Sequence, residues 1–151
     1  MTLERNATMA TIQNLLGSWR LEAWRTDYSD GRAPTFPYGP DAVGTLLYTP
    51  DGRMNASIGR PERERLSSAN TRLAPDAEKT AAFDSYFNYA GRFEIRGDSV
   101  VHRVELSLNP NFVGSEQVRR IEFEGNRLTL SAVETDAKTG TLRTHRLIWR
   151  R

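Results

Sequence analysis

From Phe93 to Ala132 the chain reads FEIRGDSVVHRVELSLNPNFVGSEQVRRIEFEGNRLTLSA, and no other stretch restricts the fold as much. Apolar and polar residues alternate through it, the period of strands with one covered face. Gly97-Asp98 and Gly125-Asn126 interrupt the alternation and suit two-residue hairpin turns, while Asn109-Pro110-Asn111-Phe112 reads as a four-residue loop. The stretch therefore predicts four consecutive antiparallel strands. Pairing Arg96 with Ser99 sets Phe93 opposite His102. Pairing Leu108 with Val113 sets Val104 opposite Gln117 and His102 opposite Arg119. Pairing Glu124 with Arg127 sets Phe123 opposite Leu128 and Arg119 opposite Ala132. These registers, drawn from the turns alone, collect Val100, His102, Val104, Leu106, Gln117, Arg119, Ile121, Phe123, Leu128, Leu130 and Ala132 on one face. A one-residue slip would put Arg103, Glu105, Glu116, Arg120 and Glu122 there instead. The predicted feature is a row, Phe93, His102, Arg119 and Ala132, across four strands.

The remaining elements are arranged around this sheet. Residues 1–10 carry no periodicity and read as a flexible arm, leaving 11–151 as the folded domain. Thr11–Leu16 suits a short helical turn stopped by Gly17. SWRLEAWRTDY follows as a long strand with Trp19, Leu21 and Ala23 on one face; Trp24 breaks the alternation and is expected under the helical turn or a loop. Residues 29–42 hold three prolines and two glycines and must be a loop. VGTLLYT and RMNASIG form a hairpin about Thr49-Pro50-Asp51-Gly52, with Leu46, Tyr48, Met54, Ala56 and Ile58 on one face. Asp76 to about Ala90 reads as an α-helix, with Ala82, Tyr86 and Tyr89 on one side, Phe83 and Phe87 on an adjacent stripe and Gly91 as its stop. The last strand, LRTHRLIWRR, admits two registers, and the one with His145, Leu147 and Trp149 inward is favoured. The expectation is all-β: an up-and-down antiparallel barrel of about eight strands with one α-helix, about 76–90, and a short N-terminal helical turn. Such a barrel either packs solid or holds one small ligand.

Composition narrows the function. The chain has no cysteine, which excludes disulfides, thiolate metal sites and cysteine nucleophiles. Its net charge of +2 is carried almost entirely by arginines that alternate with acids along the strands, a mixed solvated face rather than a nucleic-acid patch. Glu4, Arg5 and Asn6 interrupt any signal-peptide core and no stretch has the length of a membrane span, so the expected location is cytoplasmic. His102 and His145 are the only histidines, which argues against a metal site, and no fingerprint for a nucleotide or other cofactor occurs. An edge left between the first and last strands would permit a homodimer as well as a monomer.

Gly17-Ser18-Trp19 after a short helical turn resembles the start of a lipocalin-type (calycin) barrel. The longer run PYGPDAVGTLLYTPDGRMNA, YFNYAGRFEI and VVHRVELSLNPNFVGSEQVRRIEFEGNRLTLS resembles the bacterial and fungal lipocalin-like domain family, from about Leu15 to Trp149. The resemblance implies a barrel whose floor is plugged by the tryptophan, with a basic residue of the last strand against it, for which Arg146 and Arg150 are candidates. It also implies a pocket for a hydrophobic molecule. Relatives among small barrels include isomerases and cyclases of natural-product pathways. The absence of cysteines separates this chain from secreted lipocalins.

His102, Gln117 and Arg119 are the candidate polar cluster. A neutral imidazole at His102 can act as acid or base near pH 7, or can be a core histidine bonded to Gln117 or to a backbone carbonyl. Arg119 can hold a ligand oxygen, or it can pair with Glu134 and close one barrel end. Gln117 can orient a ligand or satisfy Arg119. Tyr48, Tyr86, Tyr89, Phe93 and Phe123 are candidate pocket aromatics, with half-buried packing as the plainer role. Glu105 faces out by parity unless a bulge re-aims it. The leading expectation is binding of a small hydrophobic or amphipathic molecule. The alternative is a cofactor-free isomerase, cyclase or hydratase with His102 as acid/base and Arg119 stabilising negative charge.

Overall fold

A computed structural model describes residues 2–151. A helix, α1 (Thr2–Leu15), leads into strands β1 (Gly17–Tyr28), β2 (Val43–Tyr48) and β3 (Arg53–Gly59). A second helix, α2 (Asp76–Asp84), precedes β4 (Tyr86–Arg96), β5 (Ser99–Ser107), β6 (Glu116–Glu124), β7 (Arg127–Thr135) and β8 (Leu142–Arg150). The eight strands pair in chain order, and β8 returns to β1 to close the barrel.

Closure leaves the two ends unlike. The turns β2–β3, β4–β5 and β6–β7 are tight and share one end with α1 and the C-terminus. The long connections 29–42, 60–75, 108–115 and 136–141 share the other end, together with α2. The tight end is filled. Trp19 is buried and its Nε1–H donates to the Leu15 carbonyl at 2.8 Å. Arg151 lies 4.1 Å over the Trp19 ring and donates to the Leu16 and Asn14 carbonyls, both at 2.8 Å. A cation there satisfies the orphan carbonyls of α1 and opposes its dipole. The basic partner of Trp19 is thus Arg151, not Arg146 or Arg150. Those two pair on the outside with Asp27 and Glu22.

The N-terminal segment differs from the expected arm: it is helical from Thr2, Met1 lying outside the described residues. Just over half of its residues are good helix formers, but it is exposed along most of its length and, among the described residues, only Leu15 is fully buried, so no apolar period marks it. α2 ends at Asp84 rather than near 90. Tyr86–Arg92 pair with β3 instead, residue for residue from Gly59↔Tyr86 to Arg53↔Arg92. The spacing of Tyr86, Phe87 and Tyr89 serves either element, and the open edge of β3 decides for the strand.

The registers chosen at the tight turns hold, with Phe93↔His102, Tyr48↔Met54 and Phe123↔Leu128. The β5–β6 register differs by two: His102 pairs with Gln117 and Val100 with Arg119. Asn109 caps a 3-10 turn at Pro110–Phe112, and the connection runs on until Val104 bonds Ser115. A two-residue shift keeps every side chain on its predicted face, but the row becomes Phe93, His102, Gln117. A bulge at Glu105 then reverses parity, so Leu106 points outward, 69 % exposed. Glu105 meets Arg53 and Arg92 outside. Gly91 faces this bulge, and a Cβ there would sit 1.8 Å from the Arg103 carbonyl oxygen, so only glycine fits.

Candidate functional site

The inward face carries Leu46, Tyr48, Ala56, Ile58, Val100, Val104, Leu128, Leu130 and Trp149 as core. Above them, toward the end with the long connections, a cavity of about 220 Å³ remains. Four of the predicted site residues line it: Tyr89, His102, Gln117 and Arg119. Tyr48 lies beneath, against His102, with Phe93 edge-on to Tyr48 at 4.8 Å. Tyr86 is elsewhere. Being one residue out of phase with Phe87 and Tyr89 on β4, it points outside, where the Arg63 guanidinium covers it at 5.1 Å. Phe123 is also apart, 39 % exposed near the tight end of β6.

Four lining aromatics, Trp24, Phe87, Phe112 and Trp149, were not among the residues expected at the site. A bulge at Glu22, whose carboxylate is held outside by Arg127 and Arg150, turns Trp24 and Thr26 inward. The signal was the broken alternation in SWRLEAWRTDY; the register shift explains it, and Trp24 packs under a loop, one of the two expected placements, rather than under the helical turn. Phe87 enters because its segment is strand. Phe112 comes from the capped turn before β6. Trp24 stands 5.0 Å from Tyr38 of the 29–42 loop and 5.4 Å from Phe87, and Phe87 is 6.1 Å from Phe112. These rings form one continuous aromatic wall. His145, Leu147 and Trp149 complete the lining from β8, in the favoured register.

The polar groups fall into two sets. Deep in the wall, the Tyr48 hydroxyl lies 2.7 Å from His102 Nε2 and the Tyr89 hydroxyl 2.5 Å from His102 Nδ1. His102 is 2 % exposed. Burial, with a smaller push from the Arg119 charge, lowers its pKa to about 3, so the ring is neutral near pH 7. Burial raises Tyr89 to about 12 and Tyr48 well above its ordinary value. On β6, Arg119 donates to Gln117 Oε1 at 3.3 Å and to the Val118 carbonyl at 2.9 Å. Gln117 donates in turn to Ser115. The pairing of Arg119 with Glu134 considered from sequence is not made. Glu134 meets His145 Nε2 at 3.2 Å and Arg143 at 3.7 Å, and His145 Nδ1 lies 3.2 Å from the Thr26 hydroxyl. Among the described residues no three His, Asp or Glu side chains are grouped to hold a metal.

A closed ring of eight antiparallel strands, plugged at one end and hollow toward the other, is a barrel of lipocalin type. The chain matches the lipocalin-like domain family over residues 16–151 and belongs to it. It is 29% identical over 106 residues to the 4'-hydroxy-3'-methoxypropiophenone carrier protein ppsC of Aspergillus oryzae, a match covering 65% of this chain and 96% of that protein. Among solved structures, the lipoprotein YedD of Klebsiella pneumoniae aligns at a TM-score of 0.38 and 14% identity, over 85% of this chain and 68% of that one.

Proposed function

We propose that this protein binds a small, largely apolar aromatic molecule in the barrel cavity, as a carrier or sensor. The observation that carries the reading is the cavity itself, walled by Trp24, Phe87, Phe112 and Trp149 with two sets of polar groups. Its volume of about 220 Å³ lies below the usual range for drug-sized ligands and suits a single substituted ring. The fungal relative named as a carrier of a methoxylated hydroxyphenyl ketone supports the same class of ligand. Polar anchoring falls to Tyr89, held by His102, and to Gln117 and Arg119 of β6. A catalytic role for His102 as acid or base is disfavoured, because both ring nitrogens are engaged by tyrosines and the ring resists protonation near pH 7.

The test is a titration of 4'-hydroxy-3'-methoxypropiophenone read by tryptophan fluorescence, since Trp24 and Trp149 both line the cavity. A ligand of this size should bind with a Kd of roughly 1–100 μM. Saturating ligand should stabilise the fold by about 2.7 kcal/mol at one hundred times Kd. No fluorescence change and no rise in Tm with this compound or a panel of single-ring aromatics would refute the reading.

A further inference from the structure

The Tyr48–His102–Tyr89 cluster holds more protons than it can use. A neutral imidazole has one N–H and one bare nitrogen. Its N–H donates to one tyrosine oxygen, and its bare nitrogen accepts from the other tyrosine's O–H. The tyrosine that accepts keeps its own proton, and neither hydroxyl has another partner among the described residues. Were the ring protonated, both hydroxyls would be left over. At least one buried O–H therefore lacks an acceptor, an arrangement that folded proteins avoid unless something else supplies one.

The cavity decides which hydroxyl it is. Tyr48 does not line it; the ring is 2 % exposed and packed against Phe93. A spare proton there would have nowhere to go. Tyr89, only 6 % exposed, does line it. The consistent arrangement has Tyr48 donating to Nε2, Nδ1–H donating to the Tyr89 oxygen, and the Tyr89 O–H free for the cavity. A second observation has the same sign. The indole N–H groups of Trp24 and Trp149, both cavity-lining side chains, are buried without acceptors. The acceptors of the site are engaged: Gln117 Oε1 by Arg119, and Glu134 by His145 and Arg143.

We propose that the inner end of the cavity is a carbonyl-binding pocket, in which the Tyr89 hydroxyl, oriented by His102 and Tyr48, donates to a neutral ketone, aldehyde or quinone oxygen. This rests on the ligand-binding reading above and adds the functional group and its orientation. A neutral acceptor is preferred to a carboxylate because the group that holds the Tyr89 hydroxyl is the neutral His102 ring, and Arg119 already donates to Gln117 and the Val118 carbonyl. An alcohol is disfavoured because its own proton would meet no free acceptor. His102 is a positioning residue, since it acts on the ligand through Tyr89.

The experiment compares three probes of one skeleton, propiophenone, 1-phenyl-1-propanol and propylbenzene, on the wild type, Tyr89→Phe and Tyr48→Phe. The wild type should bind the ketone about tenfold more tightly than propylbenzene, with the alcohol between them. Tyr89→Phe should lose that preference while keeping its affinity for propylbenzene. Tyr48→Phe should weaken the preference only in part, because Tyr89 keeps its proton. Nitrogen-15 spectra of wild-type His102 should show the Nδ1–H tautomer when the ketone is bound, a readout that does not depend on either variant folding. Equal binding of ketone and propylbenzene, an unchanged preference in Tyr89→Phe, or an Nε2–H tautomer in the ketone complex would overturn the carbonyl pocket and leave the binding reading standing. Failure of all three probes to bind the wild type would overturn both.

Discussion

Burial of His102 should make the stability of this barrel fall in acid in a way that one substitution removes. In the unfolded chain the imidazole titrates near 6.5; in the fold, burial and then the Arg119 charge lower it to about 3. Between those values the unfolded chain binds a proton that the native protein refuses. Stability supplied by the neutral ring is therefore complete above pH 6.5 and lost as pH falls toward 3. Each pH unit within that window costs about 1.4 kcal/mol, so descent from pH 6.5 to 4.5 costs about 3 kcal/mol, a large part of a typical domain's stability. Carboxylates held low by arginine partners, such as Glu22 and Glu94, add to the acid loss, so the wild type alone does not isolate the histidine. His102→Gln does, because it removes the titration and leaves the outer ion pairs in place. Urea unfolding at pH 7, 6, 5 and 4.5 gives the comparison. The variant should be less stable at pH 7, having lost hydrogen bonds to both tyrosines, but its deficit should shrink by about 1.4 kcal/mol per unit below pH 6.5. A deficit constant from pH 7 to 4.5, or one that grows, would refute the buried neutral ring.

Three further outcomes follow from the geometry. Gly91→Ala should destabilise by about 3 kcal/mol or more in urea unfolding, because its methyl meets the Arg103 backbone oxygen at 1.8 Å and a paired strand cannot move aside cheaply. Arg151→Ala should cost about 1–2 kcal/mol by thermal unfolding and expose the Trp19 environment in near-UV dichroism, since it removes the two carbonyl bonds at the end of α1 and the cation over the indole. Trp24→Ala should weaken binding of an aryl ketone by about tenfold or more in calorimetric titration, whereas Phe123→Ala, near the other end of the barrel, should change it by less than about twofold.

What could be read from the chain was what short-range chemistry dictates. The pairs Gly97-Asp98 and Gly125-Asn126 and the tetrapeptide Thr49–Gly52 each fix a turn, and a turn fixes the register of the strands it joins. That was enough to place His102, Gln117 and Arg119 on the inner face, because the error in the 108–115 connection was an even number of residues. Odd insertions were not legible. The bulges at Glu22 and Glu105 each reverse parity partway along a strand, and only the misplaced Trp24 hinted at the first. Tyr86 to Ala90 carries rings at spacings that fit a helix as well as a strand. The choice was made by the edge of β3, a long-range partner no local pattern displays. The same applies to the site. That Tyr48 and Tyr89 meet the two nitrogens of His102 depends on strands paired across the barrel, and that Phe112 reaches the cavity depends on a capped turn.

The central claim is that the hollow end of this barrel receives an aromatic ligand ring with its carbonyl turned inward. A crystal structure of the protein grown with propiophenone tests it most directly. The account predicts density for the ring against Trp24 and Phe87, with the ketone oxygen within hydrogen-bond distance of the Tyr89 hydroxyl. A ligand lying on the outside of the barrel, or seated inside with its oxygen toward Arg119 and away from Tyr89, would contradict it.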